Sequence, residues 1–431
     1  MKKSTIALRA ICAAALCVAV AITSGCCKKE CKKEARRDYK PLAPQGTLIS
    51  AVYETKGLAD NQMMQAILDF NADCNAKVTA AMREAGKDVP MPDVDFAALK
   101  EKELANLRKF DWVAFTMAAP SFKADDIEKD DAPVAFPAAA VVYCAAKPTT
   151  MEAIEGEIKA NLAEGTANLD EETLTTIREF FAENFDISDD TAAGCAIKKF
   201  SIKATEKTEE VVKRVKDFEP CYGLYDGTLF IMASSPKAFA DTVALYSGKA
   251  AATDNASIKA DMAIGAGLPQ FRDGIYGVAS FLKGFLSDED FAEACAGEPG
   301  KFLQSLRDVK GALAIDGEAM ATVFSLSASF DDAQLATEAV TLADSARGML
   351  SMLGGAVTMR APAATPILKI VNAAATKADG DTFTLSFTTT KDDLAAIDFA
   401  AILTQTGAFD DDGDEDLDED DEAEEEDDDA E

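Results

Sequence analysis

The sequence predicts an α+β fold of two similar tandem units, each an antiparallel sheet packed with helices, between disordered termini. Asp226-Gly227, Asp316-Gly317 and Asp379-Gly380 each separate two β-prone runs, as two-residue hairpins require, because glycine reaches positive φ without a Cβ penalty. Amphipathic stretches of helical period lie between these runs, and the same order of elements occurs twice. Hairpins make antiparallel ladders, so a doubly wound parallel sheet is disfavoured.

The first unit is read over residues 46–217 and the second over 218–405. Gly46-Thr47-Leu48-Ile49-Ser50-Ala51 opens the first as a strand, and Gly227-Thr228-Leu229-Phe230-Ile231-Met232 recurs 181 residues later, with Lys56, Ala59 and Asp60 matching Lys237, Ala240 and Asp241. An amphipathic helix follows in both, from Asn61 to Ala85 in the first and after Ser235-Pro236 in the second, where an oxygen-bearing cap stands before a first-turn proline. Leu104 to Arg108 then precedes a strand at Trp112 to Met117, as Leu303 to Arg307 precedes one at Gly311 to Ile315. Second strands are expected at Ala139 to Ala145 and Thr322 to Ser329, each followed by a helical pair. Thr149-x-x-Glu152 and Ser287-x-x-Asp290 read as capping-box starts, their acids facing the positive end of the helix dipole. Asp331 to Leu353 is the other long helix, and Thr365-Pro366 caps the next. Each unit closes on a β-rich segment and a charged helix start: Gly194 to Thr205 then Glu206 to Lys216, and Asp381 to Thr390 then Lys391 to Phe399. Within the latter, Thr382 to Phe387 alternates polar and apolar, the period of a half-buried strand.

The N-terminus carries an address. Met1 to Ala10 is basic, Ile11 to Ile22 is unbroken apolar, and Thr23-Ser24-Gly25 supplies small residues before Cys26. These are the parts of a secretory signal, and the apolar run falls short of the roughly 20 residues that span a bilayer. At Cys26 the pattern resembles the bacterial lipoprotein lipobox, a small-residue pair before an obligatory cysteine. The resemblance covers about 30 residues near the N-terminus and implies removal of 1–25, a diacylglyceryl group on the Cys26 sulfur and acylation of the new amino group. Because Cys27, not Asp, follows the lipidated cysteine, it also implies the outer rather than the inner membrane. Thr23 stands where leucine is usual, which leaves plain secretion to the periplasm after Gly25 as the alternative. Residues 26–45 are read as the tether, basic at Lys28 to Arg37 and stiff at Pro41 to Gly46.

The formal net charge of −33 comes from 76 acidic against 43 basic residues. It excludes general affinity for nucleic acid, which needs a basic face. Eighteen of the 22 residues 410–431 are acidic, so 406–431 is read as a disordered tail that attracts basic proteins or divalent cations. Asp410, Asp412, Asp414 and Asp416 around Gly413 resemble the alternation of a calcium loop, but Ala408 occupies the first ligand position of that register, so only weak, nonspecific cation binding is expected.

There is no histidine, which excludes Ser-His-Asp and Cys-His catalysis and imidazole metal ligands. Ser280-Phe281-Leu282-Lys283 reads S-x-x-K, without the companion elements of the serine–lysine enzymes. Carboxylates cluster at Asp125 to Asp131 and at Glu183 to Asp190 in what read as polar connections, and one tryptophan with seven tyrosines is a thin stacking inventory for a sugar groove. Gly265-Ala266-Gly267 lacks the third glycine of a dinucleotide fingerprint. No cofactor, metal or catalytic residue is assigned. Of ten cysteines, Cys74, Cys144, Cys195, Cys221 and Cys295 fall in the body, and Cys195 with Cys221, on strands expected to be neighbours, is the best-placed disulfide candidate. These readings together describe an exported, lipid-anchored envelope protein of non-catalytic binding or scaffold type. The alternatives are a lipid-anchored solute-binding protein with a cleft between two lobes, and a carboxylate- or Ser-Lys-dependent hydrolase.

Overall fold

A computed structural model describes residues 38–45, 47–86, 95–119, 121, 123, 134–165, 171–205, 208–252, 263–266 and 286–408. Cys26, the Ser280–Lys283 pair, the 125–131 acids and the Asp410–Asp416 alternation lie outside the described residues.

In chain order the elements are β1 (Thr47–Glu54), α1 (Gln62–Glu84), α2 (Phe96–Leu107), β2 (Phe110–Ala118), β3 (Val134–Ala135), β4 (Ala139–Ala145), α3 (Met151–Gly165), α4 (Glu171–Asn184), β5 (Phe185–Ala192) and β6 (Cys195–Ile202). Then come α5 (Glu209–Arg214), β7 (Val215–Lys216), β8 (Cys221–Tyr225), β9 (Leu229–Ala233), α6 (Pro236–Tyr246), β10 (Ala263–Ala266), α7 (Asp288–Ala294), α8 (Glu298–Ser305), β11 (Leu306–Asp316) and β12 (Ala321–Phe330). The chain continues through α9 (Ala333–Arg360), α10 (Thr365–Asn372), β13 (Ala375–Asp379), β14 (Thr382–Thr390), α11 (Lys391–Ala395) and α12 (Phe399–Gln405).

The fold is mixed α/β with a largely antiparallel sheet. Twelve strands run in the order β13-β14-β12-β11-β10-β1-β2-β4-β9-β8-β6-β5, while β3 and β7 form a separate parallel pair. Among the described residues of the large sheet only β10 pairs in parallel, with β1 and with β11. The two stretches read as tandem units are not segregated in it: β8 and β9, placed by sequence in the second, lie between β4 and β6 of the first.

Register decides the faces. Tyr53, Val113, Tyr143 and Phe230 are successive cross-strand partners and lie under α1, α2 and α3 (two neighbouring clusters, around Met63 and Leu104 and around Ile154). Val52, Ala114, Val142 and Ile231 form the opposite row and pack on Phe239, Val243 and Tyr246 of α6. Around β1–β9 helices therefore cover both faces, where one covered face was expected. Residues 38–45, read as tether, also pack on the α6 side. The Trp112 Nε1–H donates to the Tyr39 carbonyl at 2.9 Å, the Tyr39 hydroxyl to Asp226 at 2.7 Å, and the Leu42 N–H to the Tyr246 hydroxyl at 3.2 Å.

Local chemistry explains most boundaries. Asn61 caps α1 by accepting from Met63 and Met64 N–H, and Ser235 caps α6 with Pro236 in its first turn. The β8–β9 turn holds both Asp226 (φ 53°) and Gly227 (φ 62°) left-handed, as a type I′ hairpin demands. At 316–317 the expected two-residue turn is a longer loop instead. The Asp316 carboxylate accepts from Glu318 and Ala319 N–H, and Met320 takes the positive φ. Two helix starts shift by one residue: Thr150, not Thr149, accepts from Ala153 N–H, and Thr365 is already helical, with no side-chain cap before it. The box at Thr390 and Asp393 starts α11.

Candidate functional site

A cavity of about 460 Å³ lies on the α3–α4 side of the sheet. Its floor comes from alternate residues of adjacent strands: Phe115 on β2, Val141 on β4, Met232 on β9, Tyr222 on β8, Phe200 and Ile202 on β6, Phe185 and Ile187 on β5. Strand alternation puts these side chains on the face carrying Tyr143 and Phe230. Phe136 and Phe218, their ring centroids 4.5 Å apart, close one end beside the β3–β7 pair. Phe181 and Ala182 of α4 form the facing wall.

Asn184 places that wall. It is fully buried, and its amide nitrogen donates to the Phe180 carbonyl at 2.8 Å while its oxygen accepts from the Thr205 hydroxyl at 2.6 Å. The Lys203 N–H donates to the Asn184 carbonyl at 2.8 Å. A buried amide so satisfied locks the end of α4 to the end of β6, and Phe181 and Phe185 meet at 5.4 Å above the floor. On the same face, and ending in the floor itself, an aromatic row runs Phe110–Tyr143–Phe230–Tyr222–Phe200, with centroid spacings of 5.2, 5.9, 5.8 and 5.8 Å. Burial pushes the Tyr143 hydroxyl up to about 12, so the row stays neutral.

The lining is almost wholly apolar. Of the lining residues only Cys221, Tyr222 and Ser234 have a polar side-chain atom; Cys221 belongs to the α6-side cluster, and the Ser234 hydroxyl is engaged: it accepts from Ala139 N–H at 3.0 Å and donates to the Pro137 carbonyl at 3.2 Å. Water in the space meets an almost wholly apolar wall, so an apolar ligand that displaced it would be favoured by burial of apolar surface on both sides. A hollow of 300–1,000 Å³ with an apolar lining is the ordinary form of a small-molecule site.

The other expected features resolve differently. Cys195 and Cys221 do lie on neighbouring strands, yet the register sets Cys221 opposite Lys199, four residues along β6 from Cys195. That is a separation of about 13 Å, beyond the reach of a disulfide, and both thiols are free. The 183–190 acids are not in a connection: Glu183 lies in the last turn of α4, and Asp186, Asp189 and Asp190 lie on edge strand β5 with Phe185 and Ile187. Asp186 pairs with Lys203 at 3.0 Å, Asp189 with Lys198 at 2.6 Å and Asp190 with Lys199 at 3.9 Å, a ladder of ion pairs rather than two carboxylates facing a common space. Gly265 and Ala266 lie inside β10. Among the described residues no cluster of three or more metal-ligating side chains occurs, and no helix is long and apolar enough to cross a membrane. The cavity lies within the β2–β5 half of the sheet, whereas the two-lobe reading places a cleft between units.

Sequence reading missed this cavity. Its one linear trace is the group Phe180, Phe181 and Phe185, aromatics in an acidic stretch. Comparison with protein-family models, curated proteins and solved structures yields no match.

Proposed function

We propose that the chain is an exported, lipid-anchored cell-envelope protein of non-catalytic binding type, whose binding element is the apolar cavity over β2–β5. The cavity carries this reading, because its lining offers shape and hydrophobicity and almost no chemistry. The N-terminal signal and Cys26 supply export and anchor, two or three acyl chains being enough for stable attachment. The outer membrane fits Cys27 better than the inner, and segment 38–45, read from the sequence as the end of the tether, packs on the body instead. The acidic tail is assigned to basic proteins or divalent cations. Labelled palmitate should be incorporated into the full chain and lost in Cys26→Ser; unchanged labelling of the variant contradicts the anchor.

We also infer an internal duplication. Hairpin β2–β4, helices α3–α4 and hairpin β5–β6 parallel β11–β12, α9–α10 and β13–β14 in chain order. From the centre outward the sheet reads β2-β4-β6-β5 on one side, once the β8–β9 hairpin is set apart, and β11-β12-β14-β13 on the other. Circularly trimmed variants ending before β8 and after β9 would test it: if only the latter fold, the hairpin completes the first half.

A further inference from the structure

We propose that the cavity holds the hydrocarbon chain of one single-chain amphiphile, a fatty acid or lysophospholipid, with its polar head outside at the α4–β5 rim. The inference rests on the reading of this chain as a binding protein and names its ligand. Lining residues come from six adjacent strands, β2, β4, β9, β8, β6 and β5, and five steps of about 4.8 Å give a length of about 24 Å. A volume of about 460 Å³ under a lining of that span suits an extended alkyl chain better than a compact ring system. No cation lines it, so a carboxylate or phosphate cannot be buried there without an uncompensated desolvation penalty.

Two lining residues also face solvent and so mark the mouth: Ile187 is 63% exposed and Phe181 46%. Ile177 and Phe180 of α4, also exposed, continue the apolar rim outward. Just beyond, the Lys203 ammonium sits 3.0 Å from Asp186 and donates to the Ala182 carbonyl at 2.8 Å. The rim thus carries both signs and leaves the head solvated and weakly discriminated.

The test is titration of the full chain, kept detergent-free in amphipol, with a fluorescent long-chain polyene fatty acid, displaced by an unlabelled fatty acid, by a lysophospholipid of equal chain length, and by pyrene. One saturable site is expected, displaced by fatty acid and lysophospholipid within about threefold of each other and poorly by pyrene. Val141→Trp, which fills the floor, should weaken binding about tenfold or more. Phe200→Ala, which widens the cavity, keeps the test open should the tryptophan variant not fold, and should raise pyrene affinity relative to the fatty acid. Tight pyrene binding with no fatty-acid site overturns the acyl-chain proposal while leaving the binding-protein reading standing. No saturable binding of either probe, or wild-type affinity in Val141→Trp, overturns the proposal together with the cavity as a binding element.

Discussion

Replacing Phe230 by alanine tests whether the face beneath the cavity is as tightly coupled as its geometry requires. Phe230 is 2% exposed and lies between Tyr143 and Tyr222 at centroid distances of 5.9 and 5.8 Å. Truncating a buried phenylalanine costs about 3–5 kcal/mol, transfer and cavity terms together, and each lost aromatic pair adds up to about 1 kcal/mol. With aromatic partners lost on both sides, the cost is placed near the upper end of that range, about 5 kcal/mol. Urea unfolding followed by far-UV circular dichroism, at a slope near 3 kcal/mol per molar, should show the midpoint falling by about 1.7 M. Phe180→Ala, at a rim position 37% exposed, should cost about 1 kcal/mol or less by the same assay. A Phe230→Ala cost below about 2 kcal/mol would refute the reasoning, since it would mean that the floor repacks and the hollow is not held open by the aromatic row.

Other expectations follow from single contacts. Burial, with the charges of Asp190 and Glu219 adding to it, pushes the Cys221 thiol up to about 12, so at about pH 8 iodoacetamide should label Cys221 only after denaturation, because the thiolate is the reactive species; peptide mapping reads the result. The Thr390 hydroxyl and N–H, together with the Lys369 ammonium, hold the Asp393 carboxyl down at about 2 against the ordinary 3.8. A depressed folded-state value stabilises above the ordinary value and is lost as pH falls through the depressed one. The wild type should therefore lose more stability than Asp393→Asn between pH 3.8 and about 2, and at neutral pH the variant should be weaker by about 1 kcal/mol, as for a lost helix cap. Tyr39→Ala removes the ring that contacts Tyr225 and Tyr246. It should red-shift the emission of Trp112, the single tryptophan, and speed proteolysis within 38–45.

What could be read from the sequence was local. The β8–β9 turn, the Ser235 and Asn61 ends of helices, and the bounds of β4 depend on residues within a few positions of one another, and those residue types have few other conformational choices. Strand β5 escaped because an edge strand can carry charge on both faces: Asp189 follows Phe185 and Ile187 on one face while Asp186 and Asp190 take the other, so no apolar alternation of strand length remains. Asp316-Gly317 misled because the Asp316 carboxylate closes its own loop, and a Cβ on Gly317 would stand 3.0 Å from the Asn61 side chain: that glycine serves a close approach, not a positive φ. Cys195 and Cys221 show the limit on pairing arguments, since adjacency of strands was recoverable and register was not. The cavity was beyond reach for a stronger reason. Phe115, Val141, Phe200, Tyr222 and Met232 become neighbours only through a sheet order that inserts β8–β9 between β4 and β6, and no linear pattern encodes that insertion.

The central claim is that the hollow over β2–β5 is occupied in use by an apolar chain. Its most direct test is to purify the full chain from membranes without detergent, remove lipid not retained by the protein, unfold it, and quantify the organic extract by mass spectrometry against protein. About one equivalent of long-chain amphiphile per chain in the wild type, and a small fraction of that in Val141→Trp, is the expected result. An empty wild-type extract, or equal recovery from both proteins, would contradict it.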